Sequence, residues 1–235
     1  MNRLLSLILF LSYNVVADDN EIYVDQVGAT ANIDLEQLGS GNIIGGLLSA
    51  HGSMTNFDLD GTTMTLDVNQ IGNNNKMLGD INSDTFTGLF DFDGDTNSYT
   101  IQIDPTNTYS ADSSNVNVNV DGNTNTMTLD LATNSLAASA DIDTIVQGSS
   151  NTVHIDLDVD SATNYIDLDG DSNTVDYNGD GYAGAYFKLE HDGGTRSFDI
   201  DQQSTQDNDW LRVTSNGSGG TYCIQQNDQG TSTSC

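Results

Sequence analysis

The sequence predicts an all-β protein, and more narrowly a β-solenoid of strand-turn-strand coils of about 22 residues each. Three observations favour this fold class: the composition, the alternation of apolar residues, and a regular spacing of glycines. The chain of 235 residues contains 32 Asp, 26 Asn and 23 Gly but only 3 Glu and 1 Pro. Asp, Asn and Gly favour turns and are poor helix formers.

Eight glycines follow apolar residues that alternate with polar ones, at spacings of 11, 22, 11, 22, 28, 26 and 22 residues. Five of the seven spacings are multiples of 11, and Asn stands three residues after the glycine in six of the eight units. Period-2 alternation is typical of a strand with one inward face, and Gly-x-x-Asn is typical of a tight turn. The glycines are Gly28, Gly39, Gly61, Gly72, Gly94, Gly122, Gly148 and Gly170, and the asparagines are Asn42, Asn75, Asn97, Asn125, Asn151 and Asn173.

A single coil of this kind is too small to bury its own apolar row, so the coils must stack. The narrow core of such a stack also explains why only 36% of the residues are hydrophobic. A disordered chain would show no fixed period. The repeats are predicted to span residues 18–180, while residues 181–235, where the period loosens, are predicted to form an irregular β C-terminal cap.

The first 17 residues predict export. Arg3 precedes an apolar run over 4–11, and Ala17 is followed by Asp18. This is the pattern of a secretory signal peptide cleaved after Ala17, with a retained N-terminal anchor as the alternative. The protein is therefore expected outside the cell or on its surface, with no membrane span after cleavage. In that oxidising setting Cys223 and Cys235 are expected to pair, although a free thiol pair or an intermolecular bridge stays open.

Two segments carry a resemblance to a known family. Gln37-Leu38-Gly39-Ser40-Gly41-Asn42 and Gln70-Ile71-Gly72-Asn73-Asn74-Asn75 are similar to the Gln-x-Gly-x-x-Asn centre of curlin repeats, the units of curli amyloid fibres. Gln26, Gly28 and Asn32 form a shifted version of the motif. The resemblance implies coils stacked in register, with inward Gln and Asn in hydrogen-bonded ladders, and self-association into filaments. Downstream the motif decays to Gly-x-x-Asn.

The net charge of −30 excludes nucleic acid as a partner, because the five Lys and Arg residues are scattered. Asp alternates with apolar residues and should point outward in rows, where two charges about 4.8 Å apart repel by about 0.9 kcal/mol even in water. Either high ionic strength or bound Ca²⁺ could offset this repulsion, and Ca²⁺ is then expected to raise the melting temperature. Asp176, Asn178 and Asp180 follow the start of an EF-hand-type loop, although Phe187 stands where that loop needs its bidentate Glu.

No catalytic site is predicted, since the acids recur in every coil and the three histidines lie far apart in the sequence. The sequence therefore favours an exported, non-catalytic structural or adhesive solenoid, and with it a subunit of a curli-like fibre that requires no cofactor. The alternative is a monomeric capped solenoid that serves as a ligand- or polysaccharide-binding adhesin domain, with surface glycans as possible partners.

Overall fold

The computed structural model describes residues 21–39, 41–47, 54–55, 57–105, 111–132, 137–181, 184–204 and 209–227. Within these ranges the protein is all-β, so the predicted fold class is confirmed, and no helix there could cross a membrane. The strands are β1 (Glu21–Ile22), β2 (Asp25–Val27), β3 (Thr30–Leu38), β4 (Ile43–Ile44), β5 (Gly46–Leu47), β6 (Met54–Thr55), β7 (Phe57–Ile71), β8 (Lys76–Asp93), β9 (Ser98–Ile103), β10 (Ser113–Asp121), β11 (Thr126–Leu131), β12 (Ala140–Gln147), β13 (Thr152–Asp158), β14 (Ala162–Asp169), β15 (Asn173–Gly181), β16 (Tyr186–Asp192), β17 (Arg196–Ser204), β18 (Trp210–Asn216) and β19 (Thr221–Asn227).

These strands stack in parallel as two columns, which makes the molecule a β-solenoid. The first column holds the strands that precede each Gly-x-x-Asn turn, in the order β3, β7, β8, β10, β12, β14, β16 and β18. The second column holds the strands that follow the turn, and its later part runs β8, β9, β11, β13, β15, β17 and β19. The long strands β7 and β8 take part in both columns.

Consecutive coils in the first column are offset by 33, 22, 28, 26, 22, 23 and 24 residues. The 33-residue coil contains β5 and β6, a short antiparallel pair inserted after β4. The Gly-x-x-Asn turns, which we call the glycine corners, keep one length. The extra residues of the other long coils lie at the opposite corner, which therefore absorbs the departures from 22.

The hydrophobic core lies between the two columns. In β10, for example, Val116, Val118 and Val120 point inward and are at most 1% exposed, while the intervening asparagines face outward. The rings of Phe92 and Tyr99 stack across this core with centroids 3.6 Å apart. Burial of one such side chain contributes about 1.5–3 kcal/mol, so a narrow core shared by many coils is sufficient.

The C-terminal quarter is more regular than the sequence predicted. Strands β16, β17, β18 and β19 continue both columns in the same parallel register as far as Asn227. The stretch from Tyr186 to Asn227 is therefore not irregular; its loose glycine spacing reflects coils of 23 and 24 residues. That residues 181–235 act as a cap stays a prediction, and residues 1–17 with the proposed cleavage site lie outside the described residues.

Candidate functional site: stacked corners and outward rows

At each glycine corner a buried asparagine links its coil to the coil before it. The Oδ1 atom of Asn75 accepts a hydrogen bond from the backbone N–H of Asn42 at 3.1 Å, and Oδ1 of Asn97 accepts from the N–H of Asn75 at 2.7 Å. Three further bonds of 2.8 Å continue the series to Asn173. We call this series the inner ladder; its members Asn42, Asn75, Asn97, Asn125, Asn151 and Asn173 are at most 2% exposed.

The glycines of these corners form a column of their own. Gly122 has φ of 138°, which side chains rarely adopt, and a Cβ atom added to it would lie 2.1 Å from the carbonyl oxygen of Gly94. Gly148 repeats this arrangement with φ of 122° and a distance of 2.0 Å to the oxygen of Gly122. Each corner therefore requires glycine for two separate reasons, its backbone conformation and the close approach of the next coil. The column contains Gly39, Gly72, Gly94, Gly122, Gly148 and Gly170.

A second ladder, which the sequence reasoning missed, runs along the outside of the same corners. The backbone N–H of Asn123 donates to Oδ1 of Asp95 at 2.6 Å, and the N–H of Ser149 donates to Oδ1 of Asn123 at 2.7 Å. Here the later coil donates to the earlier one, opposite to the inner ladder. The signal was present in the sequence, because the residue directly after the corner glycine is an acceptor in five coils: Asn73, Asp95, Asn123, Ser149 and Asp171.

The glutamine ladder is confined to two coils. Nε2 of Gln70 donates to Oε1 of Gln37 at 2.9 Å, and Gln37 donates to the carbonyl of Ile43 at 3.1 Å. Both side chains are at most 3% exposed. The next residues in this row, meaning the positions paired across consecutive strands, are Phe92 and Val120. The core changes at this point from amide ladders to apolar packing.

Four of the predicted repeat residues do not belong to the glycine corners. Gln26 lies in the second column opposite Leu59, not beside Gln37, and Asn32 is an exposed residue of β3. Gly28 and Gly61 lie at the opposite corner, where a Cβ on Gly61 would come within 2.0 Å of the Gly28 oxygen. The shifted motif is therefore not a repeat unit. The reason is geometric: half a coil is 11 residues, so a spacing of 11 moves the chain from one corner to the other.

The predicted EF-hand-type loop is also corrected, because residues 176–180 lie on β15 rather than in a loop. Asp176, Asn178 and Asp180 alternate with inward residues and point to one face of an extended strand. Oδ2 of Asp176 lies 3.0 Å from Nδ1 of His154, and Nδ2 of Asn178 donates to Asp156 at 2.9 Å. No group of three or more His, Cys, Asp or Glu side chains in the described ranges is arranged to hold a metal ion.

The outward rows concentrate negative charge and interleave it with amides. Burial raises the pKa of Asp58, and the neighbouring carboxylates of Asp60, Asp80 and Asp25 raise it further. The pKa of Asp158 is raised by burial and then by Asp180, Asp156 and Asp160. Relief comes from amide donors one coil away, as where Nδ2 of Asn82 donates to Asp60 at 2.9 Å.

The inner ladder ends at Arg196, which occupies the asparagine position of the next corner and is 7% exposed. A guanidinium has donors but no acceptor, so it cannot continue the ladder. It donates instead to the Gly194 carbonyl and to the Tyr222 hydroxyl, and it lies over the Tyr222 ring. Cys223 is disulfide-bonded. Cys235 lies outside the described residues, so its pairing with Cys223 stays a prediction.

No protein-family model, curated protein or solved structure matches this chain.

Proposed function

We propose that this protein is an exported, non-catalytic structural solenoid whose copies stack end to end into an extracellular fibre, in the manner of the curlin repeats that it resembles. The observation that carries the proposal is the register of the two ends. Among the described strands, β3 pairs only with β7, and β18 and β19 pair only with β16 and β17. Each end therefore has strand edges that can accept another coil.

The two ends also match in polarity. Ile224 and Tyr222, which face the core side of β19, are 40% and 43% exposed. At the other end Val24 and Ile22 are only partly buried. Following the second column strand by strand, Ile224 falls in the row of Val24. A head-to-tail contact would bury these apolar residues against each other.

Charge supports the same polarity. In the first column Arg212 follows Lys188 and belongs to the row that begins with Asp34. A stacked second copy would bring its Asp34 one coil away from Arg212, so an otherwise acidic surface gains an attractive contact at the joint. We further propose that mobile cations, Ca²⁺ among them, offset the repulsion along the Asp rows without a dedicated binding loop.

The test is filament formation by the mature chain, residues 18–235, followed by negative-stain microscopy and a cross-β dye. Filaments are expected for the wild type and not for Ile224→Asp, because stacking would bury a carboxylate at a cost of several kcal/mol. Leu89→Asp is the matched control: Leu89 is 44% exposed on an outward face away from both ends, so this variant should still form filaments.

Charge exchange tests the register itself. Arg212→Glu and Asp34→Arg should each raise the concentration needed for filaments by roughly tenfold, which corresponds to about 1.4 kcal/mol per joint. The double exchange should restore it, whereas Lys188→Glu, inside the solenoid, should not change it. A wild-type chain that stays monomeric in salt and Ca²⁺ would refute the fibre and favour the monomeric adhesin.

A further inference from the structure

The chain contains two Asn-Gly dipeptides, Asn178-Gly179 and Asn216-Gly217. In such a pair the glycine amide nitrogen can attack the asparagine side-chain carbonyl, because a residue without Cβ leaves that nitrogen unhindered and the backbone free to rotate. Asn-Gly is therefore chemically the least protected setting for an asparagine. The fold gives the two pairs very different surroundings.

Asn178-Gly179 lies inside strand β15, between β13 and β17. Gly179 is buried and pairs with Leu157 on one side and with Gln202 on the other. The Asn178 side chain donates to Oδ1 of Asp156 at 2.9 Å. Both the nucleophilic nitrogen and the amide that it would attack are held by neighbouring coils, so reaction requires local unfolding of at least one column.

Asn216-Gly217 lies at the end of the first column. Asn216 is the last residue of β18 and is exposed, and Gly217 is exposed with φ of 149°. In earlier coils the N–H of the corner glycine donates to the next coil, as from Gly122 to Gln147 at 2.9 Å and from Gly193 to Asn216 at 3.0 Å. Within the described residues no strand follows β18 in this column, and no hydrogen bond uses the Gly217 N–H.

We propose that Asn216 is a site of spontaneous deamidation. The Gly217 nitrogen, on loss of its proton, attacks Cγ of Asn216 and forms a five-membered succinimide while the side-chain nitrogen leaves as ammonia. Water then opens the ring at either carbonyl and gives aspartate or isoaspartate. One water is consumed and one ammonia is released, so the reaction needs no further reactant.

The product changes the surface on which the proposed fibre grows, and this part of the inference rests on the proposed function. The new carboxylate lies one coil from Asp192, which pairs with Asn216 in the ladder. Isoaspartate also lengthens the backbone at a corner that must match the corner of Gly39 in a stacked copy. Stacking would in turn give the Gly217 N–H the acceptor that earlier corner glycines have. Deamidation therefore ages free ends, and assembly protects them.

The first experiment needs no filament. The monomeric Ile224→Asp chain is incubated at neutral pH, digested, and analysed by mass spectrometry for deamidation at both dipeptides in the same sample. Asn216 is expected to convert at least about tenfold faster than Asn178, the factor that 1.4 kcal/mol of local opening represents. In denaturant the two sites should convert at similar rates. Equal rates in the folded chain, or faster conversion at Asn178, would overturn the proposal.

The second experiment compares wild-type filaments with the monomer. Slower conversion of Asn216 in filaments supports protection by stacking, and equal conversion in filaments refutes it. If filaments never form but Asn216 still converts faster than Asn178, the modification site stands and the fibre proposal fails, so the two failures can be told apart. The variant Asn216→Asp should also require a higher concentration for filament growth than Asn216→Gln.

Discussion

The corners of the central coils and the corner of the last coils solve one problem with different chemistry. From Asn42 to Asn173 a side-chain carbonyl meets a buried backbone N–H at every step, at 2.7 to 3.1 Å. At the C-terminal corner Arg196 satisfies a carbonyl and a tyrosine hydroxyl instead. The central device can be repeated without limit, since each asparagine both donates and accepts along the stack. The terminal device cannot, because arginine only donates.

The difference teaches where the solenoid tolerates change. In the central coils the corner is crowded by the coils on both sides, whereas the glycines after Arg196 have open space around them. Gly219, with φ of 84°, has nothing within 4 Å of an added Cβ. Substitutions at chemically similar residues should therefore have very different effects in the two regions.

The largest expected effect comes from filling a central glycine. Gly122→Ala introduces a Cβ that would clash with the Gly94 oxygen, and it strains a φ of 138°. We expect the free energy of unfolding to fall by about 3–5 kcal/mol, measured by urea denaturation. Gly219→Ala carries only the backbone strain and should cost about 1 kcal/mol. Similar losses at both sites would show that contact between stacked coils is not what requires glycine.

Next in size is removal of an inner-ladder side chain. Asn151 accepts from the Asn125 N–H at 2.8 Å and donates to the Gly122 carbonyl at 2.9 Å. In Asn151→Ala both buried partners lose their hydrogen bonds, so we expect a loss of about 2–4 kcal/mol in the same assay. Asn123→Ala removes outer-ladder bonds that water can replace, and should cost less than about 1 kcal/mol. An equal cost would mean that the inner ladder has no special role.

A smaller effect is expected where the two devices meet. Arg196→Ala should destabilise the protein by about 1–2 kcal/mol, because the bonds to Gly194 and Tyr222 are lost. Arg196→Asn should recover part of that loss, since an asparagine here offers the Asn173 N–H the acceptor that arginine lacks. Amide hydrogen exchange at Asn173 measures this directly: protection should be greater in Arg196→Asn than in Arg196→Ala.

The smallest effect per residue, though summed over several acids, is the dependence on pH and salt. The pKa values of Asp58, Asp130, Asp143 and Asp158 are raised above the ordinary 3.8, chiefly by burial and then by other acids. A raised folded-state pKa means that the folded chain binds protons more readily than the unfolded chain. Stability should therefore increase as pH falls from 7 toward 3.8, where the gain is complete.

Thermal melts at constant ionic strength test this trend, and melts at increasing NaCl should show a parallel rise in melting temperature. Replacing NaCl by CaCl₂ at equal ionic strength then separates screening from direct bridging of carboxylates. A melting temperature that drops steadily between pH 7 and 4 would contradict the expected effect of these acids.

How far the sequence reached can be judged from particular residues. The alternation and the Gly-x-x-Asn spacing were sufficient to predict the solenoid and the inner ladder from Asn42 to Asn173. They failed at Gln26 and Gly28, because a repeat of 11 cannot distinguish the two corners when an inserted pair such as β5 and β6 shifts the phase. They also failed at Asp176, where a loop motif was read on residues that pair with strands on both sides.

The sequence by itself determined the period, the inward and outward faces, and the confinement of the acids to the outward rows, since all three follow from local alternation and turn chemistry. Only the tertiary structure decided which positions become neighbours: the glycine column, the outer ladder, the end of the inner ladder at Arg196, and the contrast between the two Asn-Gly pairs. The reason is that these features depend on pairing between residues 22 to 33 positions apart. Every insertion at the opposite corner shifts that pairing by an amount that the local pattern does not record.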